Sequence, residues 1–530
     1  MSSEGGGRVH EHGARPYEWV GAWSERRAML SPDRTAVLDA TTNRTYTYAD
    51  LDARANRTAR LLADYDVTGG ERVAVVSRNR PELFDLFFAC GKTGGVLAPL
   101  SHRLAARELG ELLADADPAM LVVEAPFADL VADALEHSGI DPTVRSLPAA
   151  DADSAAWPEL SDGRPADDSR FRVGERSLDD PCLFLHTGGS TGVPKETVLT
   201  HGSVLWNSIN TITAWGLRAD DVTPMVFPLF HTGGWNVLTL PLFHMGGTVA
   251  IARTFDAGEV LGLVESQSAS VLVAVPAVLR MMTEHEEWAS TDLSSLRFAK
   301  SGGGPCRDAV LDRWWERDVP LSQGYGLTEC GPNNFTMPDG WPREKAGSVG
   351  VPAMHVDARV VDDDGCEVGV GEVGELELAS PHAGDGYWNA PAESREAFGR
   401  TTESDAGGWV STGDLARVDA DGYYYIEGRK KNMFVSGGEN VYPAAVENAV
   451  ADHPKVEEVV VIGVSDAEWG EVGKAVVRGD RSLTLDALEE FLEGRLARFK
   501  RPRRLAFVEE MPMSGPSKID REAIRDRFGD

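Results

Sequence analysis

Residues 184–200 read FLHTGGSTGVPKETVLT: an apolar run, a loop dense in glycine and hydroxyl residues, then a second apolar run. Flanking apolar runs around such a loop are the layout of a backbone cradle for phosphate. Gly188, Gly189 and Gly192 let backbone N–H groups turn inward with no Cβ in the way, Thr187, Ser190 and Thr191 add hydroxyl donors, and Lys195 brings a positive charge to the rim. The loop is not the P-loop of common NTPases, because Val193-Pro194 separates Gly192 from the lysine. Gly91-Lys92-Thr93 does join that triplet, but Leu86 stands where the pattern needs its first glycine, so this segment reads as a buried helix ending at Gly94-Gly95. A glycine-rich loop with one lysine also suits a plain surface turn, and its partners elsewhere must decide.

Outward from the loop, strands alternate with helices. Residues 46–50 run from a strand into a capped helix whose apolar stripe is Leu51, Ala55, Leu61 and Leu62. A strand at 72–76, a helix at 81–90, a strand at 96–100, a helix at 106–114 and a strand at 120–123 follow. That order predicts an α/β sheet with helices on its faces. Residues 141–180 turn rich in Ala, Pro, Asp and Ser and read as an exposed acidic connection. The pattern resumes with strands at 222–227, 248–252, 271–275 and 296–301. Beyond residue 347 short strands and tight turns (360–365, 374–378, 422–426) predict a small β-rich subdomain. The stretch 432–530 has its own strand (456–464) and helices (444–451, 485–496), and reads as a smaller α+β C-terminal domain. A chain of 530 residues exceeds what one core organises, so a large N-terminal domain of α/β subdomains plus that smaller unit is the expected architecture.

Composition bounds the partners. Asp and Glu number 84 against 52 Lys and Arg, a formal net charge of -32, and such a surface repels nucleic acid and anionic lipid. Carboxylate-rich, lysine-poor composition is what adaptation to high salt produces, so a halophilic protein is one expectation and an ordinary acidic protein the other. The cysteines, Cys90, Cys182, Cys306, Cys330 and Cys366, lack CxxC spacing, which points to no disulfide framework or zinc site and to a reducing cytoplasm. Residues 1–16 lack an apolar core and read as a flexible tail. The charge-poor stretch 225–252 is broken by Pro228, His231, Gly233-Gly234, Asn236, Pro241 and Gly246-Gly247, so no stable membrane insertion is expected.

Further motifs stand in order behind the loop: Ser301-Gly-Gly-Gly-Pro305, Gln323-Gly-Tyr-Gly-Leu-Thr-Glu329, Ser411-Thr-Gly-Asp-Leu415, Glu427-Gly-Arg-Lys-Lys431, Val435-Ser-Gly-Gly-Glu-Asn-Val-Tyr-Pro443 and Met511-Pro-Met-Ser-Gly-Pro-Ser-Lys518. With the loop they resemble the adenylate-forming superfamily of acyl-CoA synthetases, peptide-synthetase adenylation domains and luciferases, most closely the fatty-acid–CoA ligase branch. The resemblance spans residue 46 to the C-terminus. It implies ATP, Mg²⁺ and coenzyme A, with a small-molecule carboxylic acid as the partner to be activated, a fatty or other apolar acid, in fatty acid metabolism. A homodimer is compatible with everything in the sequence.

By this resemblance Thr187, Gly188, Gly189, Ser190, Thr191, Gly192 and Lys195 cradle the β- and γ-phosphates. Glu329, with Thr191, would ligate Mg²⁺, and Thr328 would contact the α-phosphate. Tyr325 would stack on adenine, whose edge meets Gly303 and Gly304, while Asp414 and Arg429 would hold the ribose. His231 would border the carboxylate, and Lys518 would stabilise charge on the reacting groups. The family's hinge falls at 429–431, between an N-terminal domain at 17–428 and a mobile domain at 432–530, which rotates so that Gly437 and Gly438 line the pantetheine tunnel. Trp235, Asn236, Gly302, Gly326 and Cys330 would line the acyl pocket, a bulky Trp235 shortening it.

Two residues depart from the family pattern. Glu196 replaces a glycine, expected to place a carboxylate near Lys195, and Ser517 replaces another. The basic run 498–504 suits either CoA phosphates or a solvated face. An amino-acid-activating enzyme would want an aspartate where His231 stands; an aryl-acid adenylating enzyme, a luciferase-like oxygenase, a kinase and a non-catalytic nucleotide-binding regulator are the other readings.

Overall fold

The computed structural model describes residues 19–149, 157–171, 177–187, 195–399, 408–467, 469–513 and 519–529. Its centre is a six-stranded sheet in the order Thr143–Leu147, Met120–Glu124, Arg72–Val76, Val96–Leu100, Pro181–Thr187, Lys195–Thr200. All neighbours are parallel except the last pair, the antiparallel hairpin that carries the glycine loop. The parallel strands are near-continuous apolar runs because helices cover both faces. Helix Tyr48–Asp64 starts on Thr47, whose side chain and that of Asp50 cap each other's backbone N–H groups.

Helix Pro81–Thr93 is buried almost throughout and ends on Gly94 at φ +80°, as the sequence suggests. Lys92, the lysine of the misleading Gly-Lys-Thr triplet, is fully enclosed with Nζ 2.8 Å from Asp52 Oδ1.

Thr35–Asp39 and Arg44–Thr47 join Val222–Met225 and Thr248–Ile251 in a four-stranded sheet, and Val271–Ala274, Phe298–Ser301 and Leu321–Gln323 form a parallel three-stranded one. Next comes the β-rich subdomain, an antiparallel sheet of Asp357–Val361, Gly374–Ala379, Val410–Val418 and Tyr424–Arg429. The last sheet pairs Val456–Asp466 with Gly470–Gly479 over a separate apolar cluster containing Val461, Val477 and Leu488. The expected mixture of α/β subdomains, a small β unit and an α+β C-terminal unit is what the chain adopts.

The acidic connection is corrected at its start only. Thr143–Leu147 within it is a strand at the edge of the central sheet. Downstream, Arg164 Nη2 lies 3.1 Å from the buried Asp85, and Arg60 pairs with Asp167 at 3.1 Å. Residues 161–163 and 166–170 are exposed, as the composition suggests; Asp167 pairs with Arg60 from the solvent side, and Arg164 is the connection's anchor to helix Pro81–Thr93.

Candidate active site

The hairpin Pro181–Thr187/Lys195–Thr200 delivers the candidate phosphate loop. Gly188, Gly189, Ser190, Thr191 and Gly192 lie outside the described residues, but the loop's base is set by Thr187 facing Lys195 across the hairpin. Successive residues on a strand point to opposite faces. Lys195 therefore emerges on one side, with Nζ 5.4 Å from the Tyr387 ring centroid and 3.7 Å from Glu393 Oε1. Glu196 goes to the other side and is fully buried, and its carboxyl oxygens have no hydrogen-bond partner among the described residues. Burial, then the charge of Asp115, pushes its carboxyl up to about 8. The expected crowding of Lys195 by Glu196 is corrected by the pleat: the carboxyl is neutral at pH 7 and on the far face.

The free edge of Lys195–Thr200 is covered by the following chain. Asp385 N donates to Val198 O, Val198 N to Gly386 O and Trp388 N to Glu196 O, at 2.8–2.9 Å. Gly384 N also donates to Glu329 O at 2.8 Å, tying the Thr328-Glu329 turn to the same edge. Tyr387, fixed between these bonds, donates its hydroxyl to Glu329 Oε1 at 2.8 Å. Its ring meets Phe398 edge-on.

The nucleoside side grows from the carboxyl ends of parallel strands, where α/β sheets place their ligands. Phe298–Ser301 runs into the triple-glycine motif, and Leu321–Gln323 into the turn holding Tyr325. Gly303 has φ +83°, a left-handed conformation that a side chain resists, and Gly304 opens onto free space where a Cβ would stand. Tyr325 donates its hydroxyl to Asp414 Oδ2 at 2.6 Å, and Arg429 Nε lies 2.8 Å from Asp414 Oδ1. Burial first, then Asp414, raises the Tyr325 hydroxyl's pKa, so it stays a donor. Asp414 pairs with Arg429 across adjacent antiparallel strands. Residues far apart in sequence thus form one acceptor site bounded by an aromatic ring and a guanidinium.

His231 belongs to a ring cluster. Its imidazole centroid is 4.8 Å from Phe230 and 6.0 Å from His186; Phe230 in turn meets His102 edge-on at 5.3 Å. Burial, reinforced by His231, pushes His186 down to about 3, so this imidazole is neutral. Trp235 is placed differently from the sequence expectation. It lies in a π-helical turn, Gly233–Val237, with its ring stacked on Phe87 at 5.1 Å and edge-on to Phe84. Its N–H donates to Leu229 O at 2.5 Å, so the indole belongs to the core beneath the site. Asn236 O accepts from Asn207 and Asn333, and Cys330 is buried with Sγ 3.7 Å from Ser380 Oγ. Gly302 N donates to Ala274 O, and a Cβ at Gly326 would meet Pro332 O at 2.1 Å.

From the C-terminal unit, Gly437 and Gly438 form the exposed turn between Phe434–Ser436 and Glu439–Val441, with Gly437 N donating to Trp469 O at 2.9 Å. Lys518 lies outside the described residues. At the expected hinge, Arg429 and Lys430 are held to the β-rich subdomain, Lys430 Nζ reaching Asp363 at 2.8 Å and Glu375 at 3.0 Å, while Lys431 is exposed. In the basic run, Arg501 donates to Leu496 O and Arg503 stacks 4.0 Å over Trp469.

A family model described as AMP-binding enzyme matches residues 24–388, and one described as AMP-binding enzyme C-terminal domain matches 445–518. The chain belongs to the AMP-binding enzyme family. This AMP-binding enzyme is 39% identical over 513 residues to a feruloyl-CoA synthase of Amycolatopsis sp, covering 96% of this chain and 99% of the relative. It is 36% identical to an indoleacetate–CoA ligase of Aromatoleum aromaticum, over 95% and 97% of the two chains. Among solved structures it resembles ATP-bound MatB from Rhodopseudomonas palustris, with a TM-score of 0.84 at 29% identity over 96% of this chain and 99% of that one. It falls in the acyl-CoA synthetase branch of the family, the AMP-forming acid–thiol ligases that use ATP and coenzyme A. Among the described residues no helix is long and apolar enough to cross a membrane.

Sequence reasoning missed Tyr387, Glu393 and His186. Tyr387 and Glu393 fall in or beside a turn-rich stretch between strands, where nothing in the local pattern marks them.

Proposed function

We propose that the protein converts a carboxylic acid bearing an aromatic or other apolar group to its acyl-adenylate and then to its CoA thioester. The observation that carries this is the pairing of two half-sites: Tyr325, Asp414 and Arg429 joined at 2.6–2.8 Å, and Lys195 and Glu329 bridged by Tyr387. The first presents a ring and a fixed acceptor for a nucleoside; the second presents a cation and a carboxylate for its phosphates.

In the first step a carboxylate oxygen of the acid attacks the α-phosphorus, and the bond to the β-phosphate oxygen breaks to release pyrophosphate. In the second, the CoA sulfur, having lost its proton, attacks the acyl carbon and AMP departs. Lys195 and the loop 187–195 offset charge on the departing phosphates, Thr328 contacts the α-phosphate, and Lys518 offsets charge on the reacting carboxylate. His231 borders the acid, and Gly303-Gly304 meet the adenine edge. Glu329, with Thr191, would hold a magnesium ion, which would supply charge neutralisation at the phosphates. Glu329 suits it: one oxygen is held by Tyr387, and hard oxygen donors from one or two carboxylates plus phosphates are what this ion takes.

For the domains we take 17–428 and 432–530 as the units and 429–431 as the hinge, Lys431 being its first residue unheld by the β-rich subdomain. Rotation there exchanges Lys518 for Gly437-Gly438 at the site. The cytoplasm, which holds ATP and CoA, suits this chemistry.

An aromatic acid is favoured over a long aliphatic one because Phe230, His186 and His102 gather flat surfaces beside His231, and because relatives named for feruloyl and indoleacetate substrates are 39% and 36% identical. A relative named as a long-chain-fatty-acid–CoA ligase is 34% identical, so aliphatic acids belong in the same screen. The test is pyrophosphate release from ATP with hydroxycinnamic, arylacetic, short-chain and long-chain acids, with CoA then added and thioester measured. Release with aryl acids above all is expected; ADP formation, or release indifferent to the acid, would overturn the reading.

A further inference from the structure

We infer that Tyr387 is a positioning residue that sets the candidate metal ligand and the candidate phosphate cation with one side chain. This inference rests on the ligase reading above and assigns a residue that neither motif contains. Tyr387 is locked by its surroundings before any ligand arrives. Its backbone forms a bridge with Thr197 on the strand that carries Lys195, and its N–H donates to Ser394 Oγ at 2.8 Å. Phe398 packs against its ring at 5.4 Å.

From that fixed frame the ring and the hydroxyl do different work. The ring lies 5.4 Å from Lys195 Nζ, within the range of a cation–π contact, and so supports the ammonium at the base of the loop. The hydroxyl donates to Glu329 Oε1 at 2.8 Å, fixing the carboxylate's plane and leaving Oε2 to face a cation. Hydrogen bonds that orient ligating side chains are typically worth about tenfold to a hundredfold in metal affinity. The strand edge thus transmits one geometry to both charges, linking Lys195 and Glu329 by a route that bypasses the glycine loop. Glu393, 3.7 Å from Lys195, supplies the ammonium with a counter-charge that phosphate would displace.

The test separates ring from hydroxyl by calorimetry of ATP binding, without acid, in the presence and absence of Mg²⁺. Tyr387→Phe keeps the ring and its packing, so metal-free ATP binding should match the wild type. The gain in ATP affinity on adding Mg²⁺ should fall about tenfold or more. Tyr387→Leu removes the ring as well and should weaken metal-free binding too, by about twofold to fivefold. A Tyr387→Phe protein with the wild-type response to Mg²⁺ would overturn the inference, as would equal weakening with and without the metal, which marks a packing role. Circular dichroism of each variant checks the fold. A wild-type protein that binds no ATP and releases no pyrophosphate with any acid would sink the ligase reading itself, and this inference with it.

Discussion

The Tyr325 hydroxyl donates to Asp414 at 2.6 Å, so the ring expected to face adenine and the carboxylate expected to face ribose are one hydrogen-bonded unit. Arg429 completes it from the neighbouring strand at 2.8 Å. Asp414→Asn keeps the shape but replaces an acceptor by a donor and leaves Arg429 without its carboxylate. Loss of a charge-assisted bond costs about 1.5–3 kcal/mol, so KM for ATP should rise on the order of tenfold to a hundredfold. KM for the acid should stay within about twofold, since this unit stands on the nucleoside side. Steady-state kinetics with each substrate varied in turn measures both, and an equal rise in the two would contradict the assignment.

Glu196 gives a pH-dependent stability with a definite sign. Its carboxyl is raised from 4.5 to about 8 in the folded protein, first by burial and then by Asp115. Between those values the folded state holds a proton that the unfolded state has lost, so stability falls as pH rises through the window and is fully present only below it. Glu196→Gln keeps the size and removes the titration. Relative to wild type its Tm should rise more at about pH 8.5 than at about pH 5, by the equivalent of about 1–3 kcal/mol. A Tm difference that does not change with pH would remove Glu196 as the titrating group.

The two half-sites differ in how far they can be read from sequence. Asp414, Tyr325 and Glu329 sit in motifs whose spacing is itself informative, and their backbone contexts follow from strand-to-turn patterns. The helix ending at Gly94 was equally legible, because periodicity and glycine placement are local properties, whereas the antiparallel pairing of the two runs that flank the loop was not. Tyr387 was not. Its importance arises from an edge pairing between 385–388 and Lys195–Thr200, a contact nearly two hundred residues apart that no local pattern encodes. Glu196 was noticed but misplaced, since only strand register shows that it turns away from Lys195. Trp235 was misread for a different reason: a π-helical turn, which has no periodic signature in sequence, rotates its ring onto Phe84 and Phe87. Lys300 gave no signal at all, yet it is buried on a central strand with Nζ 5.0 Å from the Trp215 ring, and burial pushes it down to about 8.

The charge of -32 predicts a salt response. Carboxylates repel one another at a Debye length of about 30 Å in 0.01 M salt and far less at about 3 Å in 1 M salt. If the surface is adapted to high salt, Tm and activity should both rise as KCl goes from about 0.01 M to above about 1 M. Thermal melts and pyrophosphate release across that series measure this, and full stability and activity in dilute buffer would mark an ordinary acidic protein.

The last expectation concerns the hinge. Lys430 is held by Asp363 and Glu375 on the β-rich subdomain, whereas Lys431 is exposed, so rotation of 432–530 should begin at Lys431. Proline there fixes φ and removes the backbone donor, which restricts rotation while leaving the side chains of both sites intact. Lys431→Pro should therefore leave acid-dependent pyrophosphate exchange within about threefold of wild type and slow thioester formation about tenfold or more. Lys518→Ala should do the reverse, losing adenylate formation by about a hundredfold or more while converting supplied acyl-adenylate and CoA to thioester at near the wild-type rate. Measuring both half-reactions in both variants makes the pattern diagnostic. Equal losses of both half-reactions in Lys518→Ala would contradict a two-position cycle, and unimpaired thioester formation in Lys431→Pro would move the hinge elsewhere.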